Sequence, residues 1–385
     1  MRTTACVAAA LALLCSAGAV SAQESKGPTS DLGRNAALTY WRAFAVFPEL
    51  TEKESSIVAS RPGSEPKSTP EQRADLAKRL SRAMELMHEA SQIPQCDWGI
   101  DYTKEGPNAD LSYLAKTRNL TRGAAFHARV LWAEGKRKEA AEDLRAAVIM
   151  ARQVGNDGHD TLIAALVQIA CESTVDNSLA VLLTDRESAD VLANTLGDLV
   201  NGSAVPFTGK AILAEKKCFV QWFRRKYSSD PVKALTELSD MGSDLAKLLG
   251  GSPKTVPQLL DDLEKQYEDF ARLNELPFQE FLARRQAFEE KIKSSDNPFA
   301  VILLPAMMGA RQEEEKDCVR WAMVRAAILI RQEGEAALSK VLNPADGKPF
   351  IYKALEGGAF ELKSALLIRD SQIALTFGRA PTRNE

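Results

Sequence analysis

The sequence of 385 residues predicts an all-α protein, with antiparallel helical hairpins stacked in a bundle or irregular superhelix and a small β-hairpin at the C-terminal end. Three observations predict this class. From residue 31 onward, apolar residues recur at three- and four-residue steps over most of the chain, the period that stripes one face of a helix. The breaks between these segments are short and carry N-cap residues, glycine or proline, so consecutive helices should pack as antiparallel neighbours. Only past residue 343 do turn residues and strict alternation take over.

Residues 1 to 22 combine Arg2, an alanine- and leucine-rich run over 5 to 20, and Val20-Ser21-Ala22 before Gln23. A positive start, an apolar middle and small residues at alternate positions form a secretory signal peptide, which predicts a mature chain from Gln23 in the periplasm or extracellular space. Leu14 stands before Cys15 where a lipoprotein signal wants a small residue. The apolar run falls short of the ~20 residues that span a bilayer, and no later segment reaches that length, so no transmembrane segment is expected in the mature chain.

Ala36, Ala37, Tyr40, Trp41, Phe44 and Phe47 predict an aromatic-rich helix over 31 to 47, stopped by Pro48. Residues 60 to 70 form a loop that ends in Thr69 as N-cap with Pro70 in the first turn of a helix. Leu76, Leu80, Ala83, Met84 and Met87 are its buried face, the methionines being core filling.

The most explicit architecture lies over 109 to 155. Asn108 is a good N-cap for a helix striped by Leu111, Leu114, Ala115, Ala124, Ala128 and Leu131. Gly135 permits the left-handed turn that ends it. A second helix follows, with Ala140, Leu144, Ala147, Val148 and Ala151 on one face and Lys136, Arg137, Lys138, Glu142, Asp143 and Arg145 on others.

Ala128, Leu131, Gly135, Ala140, Leu144, Ala147 and Val148 resemble the core of a tetratricopeptide unit, in which small residues let two helices approach and a glycine makes the turn. The resemblance implies peptide binding and protein assembly. It covers one unit. His127 stands where that pattern has leucine, Ala124 where it has an aromatic and Arg152 where it has proline, and a further step of ~34 residues puts Ile169 at the turn glycine.

Residues 159 to 183 are nearly continuous apolar sequence, including Leu162, Ile163, Leu166, Val167, Ile169, Val175 and Leu179, which predicts a central helix covered on several sides. Further helices start at Asp185, ending near Asn201-Gly202, and near Thr208, Asp230, Thr255 and Glu275. Pro305 should kink the helical region 297 to 334 or divide it. Beyond 343, the turn-forming Asn343-Pro344-Ala345-Asp346-Gly347-Lys348-Pro349 leads to a short strand at Phe350 to Lys353, and Gly357-Gly358 reverses the chain toward Phe360 and Leu362. This ending after an exported helical body is similar to bacterial exported helical proteins that carry no assigned activity. The expected organisation is a signal peptide at 1–22, a helical body at 23–342 with a subdivision near 201–210, and a hairpin and tail at 343–385.

The net charge of −3 lacks the positive excess of a general nucleic-acid or anionic-membrane binder. Cys96, Cys171, Cys218 and Cys318 remain after signal removal; in an oxidising compartment they permit two disulfides in three connectivities, or stay as buried thiols. Their wide spacing excludes the close cysteine pairs of zinc sites, and His88, His127 and His159 form no metal-binding helix motif, so neither metal nor cofactor is expected. No nucleophile elbow or phosphate loop is present.

Two stretches combine residue types that carry chemistry. The 96–110 loop holds Asp97 and Asp101 beside Trp98 and Tyr102: two carboxylates can divide acid and base roles in glycoside cleavage, and the aromatics can stack on sugars. The same residues also suit a loop that packs its rings and leaves its acids in water. In 216–227 basic residues alternate with aromatics, but Ile212, Phe219, Val220, Phe223 and Tyr227 share one helical face, with Lys217, Arg224 and Arg225 largely away from it. The resulting expectation is a non-enzymatic scaffold or interaction protein of the periplasm or cell envelope that binds a protein or peptide. The alternative is an envelope hydrolase acting on polysaccharide or peptidoglycan through the 96–110 carboxylates.

Overall fold

Helix starts follow their capping chemistry. Thr51, Thr69, Asp185 and Thr255 each close a capping box, the side chain satisfying one otherwise orphaned helical N–H while the third residue reaches back. In the computed structural model, which describes residues 35–155, 161–202, 206–240, 249 and 252–378 and the side chains of all of these except 237–240, the boxes head α2 (Glu52–Ala59), α3 (Pro70–Ser91), α8 (Arg186–Asn201) and α12 (Val256–Asn274). The other α-helices are α1 (Ala36–Val46), the single turn α4 (Tyr102–Glu105), α5 (Ser112–Ala133), α6 (Arg137–Gly155), α7 (Leu162–Leu182), α9 (Thr208–Lys216), α10 (Trp222–Ser229), α11 (Pro231–Asp240), α13 (Phe278–Lys293), α14 (Pro298–Met307) and α15 (Ala310–Glu333). Residues 1–22, assigned to a signal peptide, lie outside the described residues.

The α5–α6 hairpin forms as expected, with Gly135 at φ +83° in the turn. All five predicted positions of α6 are buried, and Leu114, Ala124 and Ala128 are buried on α5. Two details differ. The helix begins at Ser112 with no side-chain cap, because Asn108 belongs to a preceding 3-10 turn, Gly106–Asn108. Asp143, placed by periodicity on a polar face, is buried.

Helix α7 is central: it packs against α5, α6, α9, α15 and strand β3 (Ser371–Phe377). One side of its first turns escapes this cover, where Ile163 and Leu166 remain exposed. The chain breaks at Met308–Gly309, with Pro305 in the last turn of α14 and α15 starting at Ala310. A π-helical turn, Lys217–Gln221, joins α9 to α10. Its extra residue per turn rotates the face, so Trp222 is buried together with Phe219, Val220 and Phe223.

The C-terminal element is larger than a hairpin. Strands β1 (Ile351–Ala354), β2 (Phe360–Ile368) and β3 form an antiparallel meander, with Tyr352 opposite Leu362 and Leu362 opposite Leu375. Gly357 and Gly358 turn between the first two strands at φ +68° and +76°. Phe360, Leu362, Ile373, Leu375 and Phe377 face the helices, and β3 docks on α7 and α15. Arg331 of α15 ties the junction: Nε donates to the Leu183 carbonyl at 3.1 Å, Nη1 to the Gly358 carbonyl at 2.8 Å, and the guanidinium lies 4.8 Å from the Phe360 ring centre. No helix among the described residues is long and apolar enough to cross a membrane.

Candidate functional site

The 96–110 loop uses its carboxylates to shape backbone. Asp97 accepts the Gly99 N–H at 2.8 Å. Asp101 caps α4, accepting the N–H groups of Thr103 and Lys104 at 3.1 Å and the Thr103 hydroxyl at 2.7 Å. The Thr103 hydroxyl bond holds the Asp101 carboxyl below its ordinary range, against the direction a general acid requires. Trp98 stacks on Tyr113 at 4.4 Å between ring centres and lies close to Tyr40 and Phe44, so its ring belongs to a packed aromatic cluster. Tyr102 and Asp101 border a pocket of about 440 Å³ with Lys210 and Lys217; Asp97 is not among its lining residues.

No disulfide joins Cys96, Cys171, Cys218 and Cys318. Each lies in a different neighbourhood, which favours the free-thiol alternative over the disulfides: Cys96 near Tyr40, Cys171 against Thr121 in the α5–α7 seam, Cys218 near Tyr267 and Cys318 beside Asp317.

Histidines distant in sequence meet on one acid. Asp143 accepts from His127 Nδ1 at 2.5 Å and from His88 Nε2 at 2.9 Å, while the far nitrogen of His127 lies 3.3 Å from the Ser81 hydroxyl. The line Ser81–His127–Asp143 has the order of a hydrolytic triad. Ser81, however, sits mid-helix with its hydroxyl also 3.2 Å from the Ala77 carbonyl, and it borders none of the described pockets. The arrangement therefore bolts α3 to the hairpin, and among the described residues no group of three His, Cys, Asp or Glu is placed to hold a metal.

A second buried polar group fills the seam of α6, α7 and α15. Asp176 pairs with Arg320, and Glu172 with Arg152 at 3.3 Å. Asp317 stands beside them, its carboxyl pushed well above the ordinary range first by burial and then by Glu172 and Asp176. Farther along α15, Arg311 pairs with Glu315 at 2.6 Å, and Glu314 accepts the N–H groups of Phe207 and Thr208, supplying from α15 the cap that α9 lacks locally. These groups are internal; they satisfy a helix end and pair with one another, while Asp317 Oδ1 and Glu314 Oε2 stay without a hydrogen-bond partner among the described residues.

A concave site lined by a cation that makes no ion pair among the described residues lies elsewhere. Helices α2, α3 and α5 and the 60–70 loop enclose a pocket of about 480 Å³, within the range of small-ligand cavities, walled by Ile57, Pro70, Phe126 and Val130. Arg129 of α5 also lines it. Its Nη1 donates to the Ser178 hydroxyl at 3.2 Å and its Nη2 to the Ser60 carbonyl at 3.4 Å, both neutral oxygens. Among the described residues Arg129 makes no ion pair, and burial pulls its pKa below the ordinary arginine value, with the charge of Glu65 raising it and that of Arg73 lowering it. Ser68, on the same pocket, has a buried hydroxyl without a hydrogen-bond partner. A cation and a hydroxyl thus converge on an apolar wall.

Periodicity passes over this site because Arg129 follows the stripe position Ala128 and reads as a solvated residue. One signal was present: from Gly123 to Ala133, Arg129 is the only lysine, arginine, aspartate or glutamate. Compared with protein-family models, curated proteins and solved structures, the chain matches none.

Proposed function

We propose that the protein is an exported, non-enzymatic helical interaction protein of the periplasm or cell envelope, and that the α2–α3–α5 pocket receives a segment of its protein or peptide partner. The observation that carries this reading is the pocket itself: a concavity of about 480 Å³ with an apolar wall and a guanidinium whose hydrogen bonds, among the described residues, go to neutral acceptors. The small-residue α5–α6 hairpin behind it gives a rigid backing, and the acids of the 96–110 loop are occupied in capping, which lends the hydrolase alternative no support.

The pocket walls offer a clean test. Ala74 and Ala133 are exposed and line the pocket, so Ala74→Trp and Ala133→Trp fill it from the solvent side without disturbing the core. A partner recovered from envelope extract by the native chain should be lost with both variants. Equal recovery by all three proteins removes the pocket from the interaction. The proposed export is checked by the mass of the secreted chain, which should begin near Gln23; a retained residue 1 to 22 segment refutes it.

A further inference from the structure

We infer that the α2–α3–α5 pocket captures the C-terminal carboxylate of a peptide or protein that ends in an apolar residue, with Arg129 as its receptor; this rests on the partner-binding reading and adds the chemistry of the bound segment. The charge on Arg129 sets the sign. A guanidinium has five N–H donors, and here two are used, on Ser178 and Ser60. Neutral acceptors satisfy hydrogen bonds but do not balance a desolvated charge, which a carboxylate does through paired N–H···O bonds. The buried Ser68 hydroxyl, without a partner, can donate to the same anion.

The surroundings narrow the anion to a monocarboxylate on an apolar body. Glu65, Glu71 and Glu134 also line the pocket, with Arg73 as its other cation, so each added negative charge on a ligand is opposed and a dianion such as a phosphate monoester is disfavoured more than a monocarboxylate that pairs with Arg129. Glu65 acts on Arg129 through space and raises its pKa, but makes no ion pair with it among the described residues; its carboxylate accepts the Gly63 N–H at 2.8 Å. Ile57, Phe126 and Val130 then receive the apolar side chain. A C-terminal residue carries carboxylate and side chain on one Cα and needs a single exit for its chain, whereas an internal acidic residue must pass chain out in two directions. Capture of a chain terminus by clustered donors is an established recognition mode, and arginine suits it better than lysine because its fork matches the carboxylate.

The test titrates the mature chain with fluorescein-labelled octapeptides ending in Leu, Val or Phe, each made as the free acid and as the C-terminal amide, and with octanoate. The free acids should bind at least about tenfold more tightly than the amides, the loss expected when a charge-assisted pair is removed. Arg129→Gln should abolish that difference. Ala133→Trp, which leaves Arg129 and the core in place, should abolish binding, so a misfolded Arg129 variant does not decide the matter. Equal binding of acids and amides overturns the inference while leaving partner binding intact. Binding of octanoate with none of the peptides makes the occupant a small free acid and overturns it as well. If nothing binds in a manner sensitive to Ala133→Trp, both the inference and the partner-binding reading fall.

Discussion

Asp176 of α7 and Arg320 of α15, 144 positions apart in sequence, are joined by a two-pronged ion pair in which Arg320 Nε lies 2.6 Å from Asp176 Oδ2. Asp176 is wholly buried, and Arg320 also donates to the Asn177 side chain at 3.0 Å. The pair fixes the register of the two most central helices. Because Glu172 and Asp317 lie alongside, removing the arginine strands a cluster of carboxylates in the interior. Arg320→Met should therefore cost about 3–5 kcal/mol in urea unfolding, the usual penalty for leaving a buried charge unpaired. Adding Asp176→Leu should recover most of the loss, since an apolar pair of similar volume has no charge to compensate. A single variant as stable as the native chain would show that the pair does not hold the seam.

Asp317 makes stability depend on pH in the opposite sense to a surface carboxylate. Burial, then Glu172 and Asp176, raise its pKa in the fold, while Arg320 and Arg152 pull it down by less. An unfolded aspartate titrates near pH ~3.9. Between that value and the folded pKa the folded state keeps a proton that the unfolded chain has released, so the contribution of Asp317 is complete below about pH 4 and is lost as pH rises through the folded pKa. The loss reaches about 1.4 kcal/mol for each pH unit in that window. Asp317→Asn, neutral throughout, should match the native chain near pH 4 and exceed it in denaturant unfolding at pH 8. An identical pH profile for the two proteins would place the proton elsewhere.

Local chemistry was legible in the sequence, and chemistry that crosses the fold was not. Thr69 with Pro70, Asp185, Thr255, Gly135 and the Gly357-Gly358 turn act within a few residues of themselves, so spacing alone identifies them. Asp143 was misplaced because its partners come from 16 and 55 positions away. Two departures from the tetratricopeptide pattern, His127 and Arg152, are among the residues that reach out of the hairpin, to Ser81 and to Glu172, and His127 also ties the two hairpin helices through Asp143. Residues that break a local rule carried the long-range contacts, as expected where specificity overrides propensity. The third strand was within reach, since Ile373, Leu375 and Phe377 alternate, but the π turn left no periodic trace. The Arg129 site depends on Ser60 and Ser178 meeting one side chain of α5 and on Ser68 lining the same pocket, which no one-dimensional pattern encodes.

Cys171 should report unfolding directly. It is buried in the α5–α7 seam, and burial pushes its thiol up to about 11. Both properties suppress the thiolate, the form that reacts with alkylating reagents. In the native protein, iodoacetamide at pH 8 should leave Cys171 unmodified by peptide mass mapping, and in urea it should label fully. Native labelling at the unfolded rate would mean that the seam opens freely. An unmodified thiol in both conditions would point to a disulfide in solution.

Gly106 and Trp222 couple the 96–110 loop to the π turn. Gly106 is buried at φ +59°, a backbone conformation costly for any residue with a Cβ, and a Cβ there would enter the indole of Trp222. The indole is itself 1 % exposed, between Phe219 and Phe223, so it has little room to retreat. Gly106→Ala should then destabilise by about 2–4 kcal/mol, combining a strained left-handed residue with overpacking. Trp222→Phe alone should cost about 1–3 kcal/mol by opening a cavity. The two effects should not add: the smaller ring makes space for the new methyl, so Gly106→Ala in the Trp222→Phe background should cost at least about 1 kcal/mol less than in the native chain. Additive losses in a double-mutant cycle would mean that the penalty at Gly106 comes from its backbone alone, and that the loop and the π turn are not coupled through this contact.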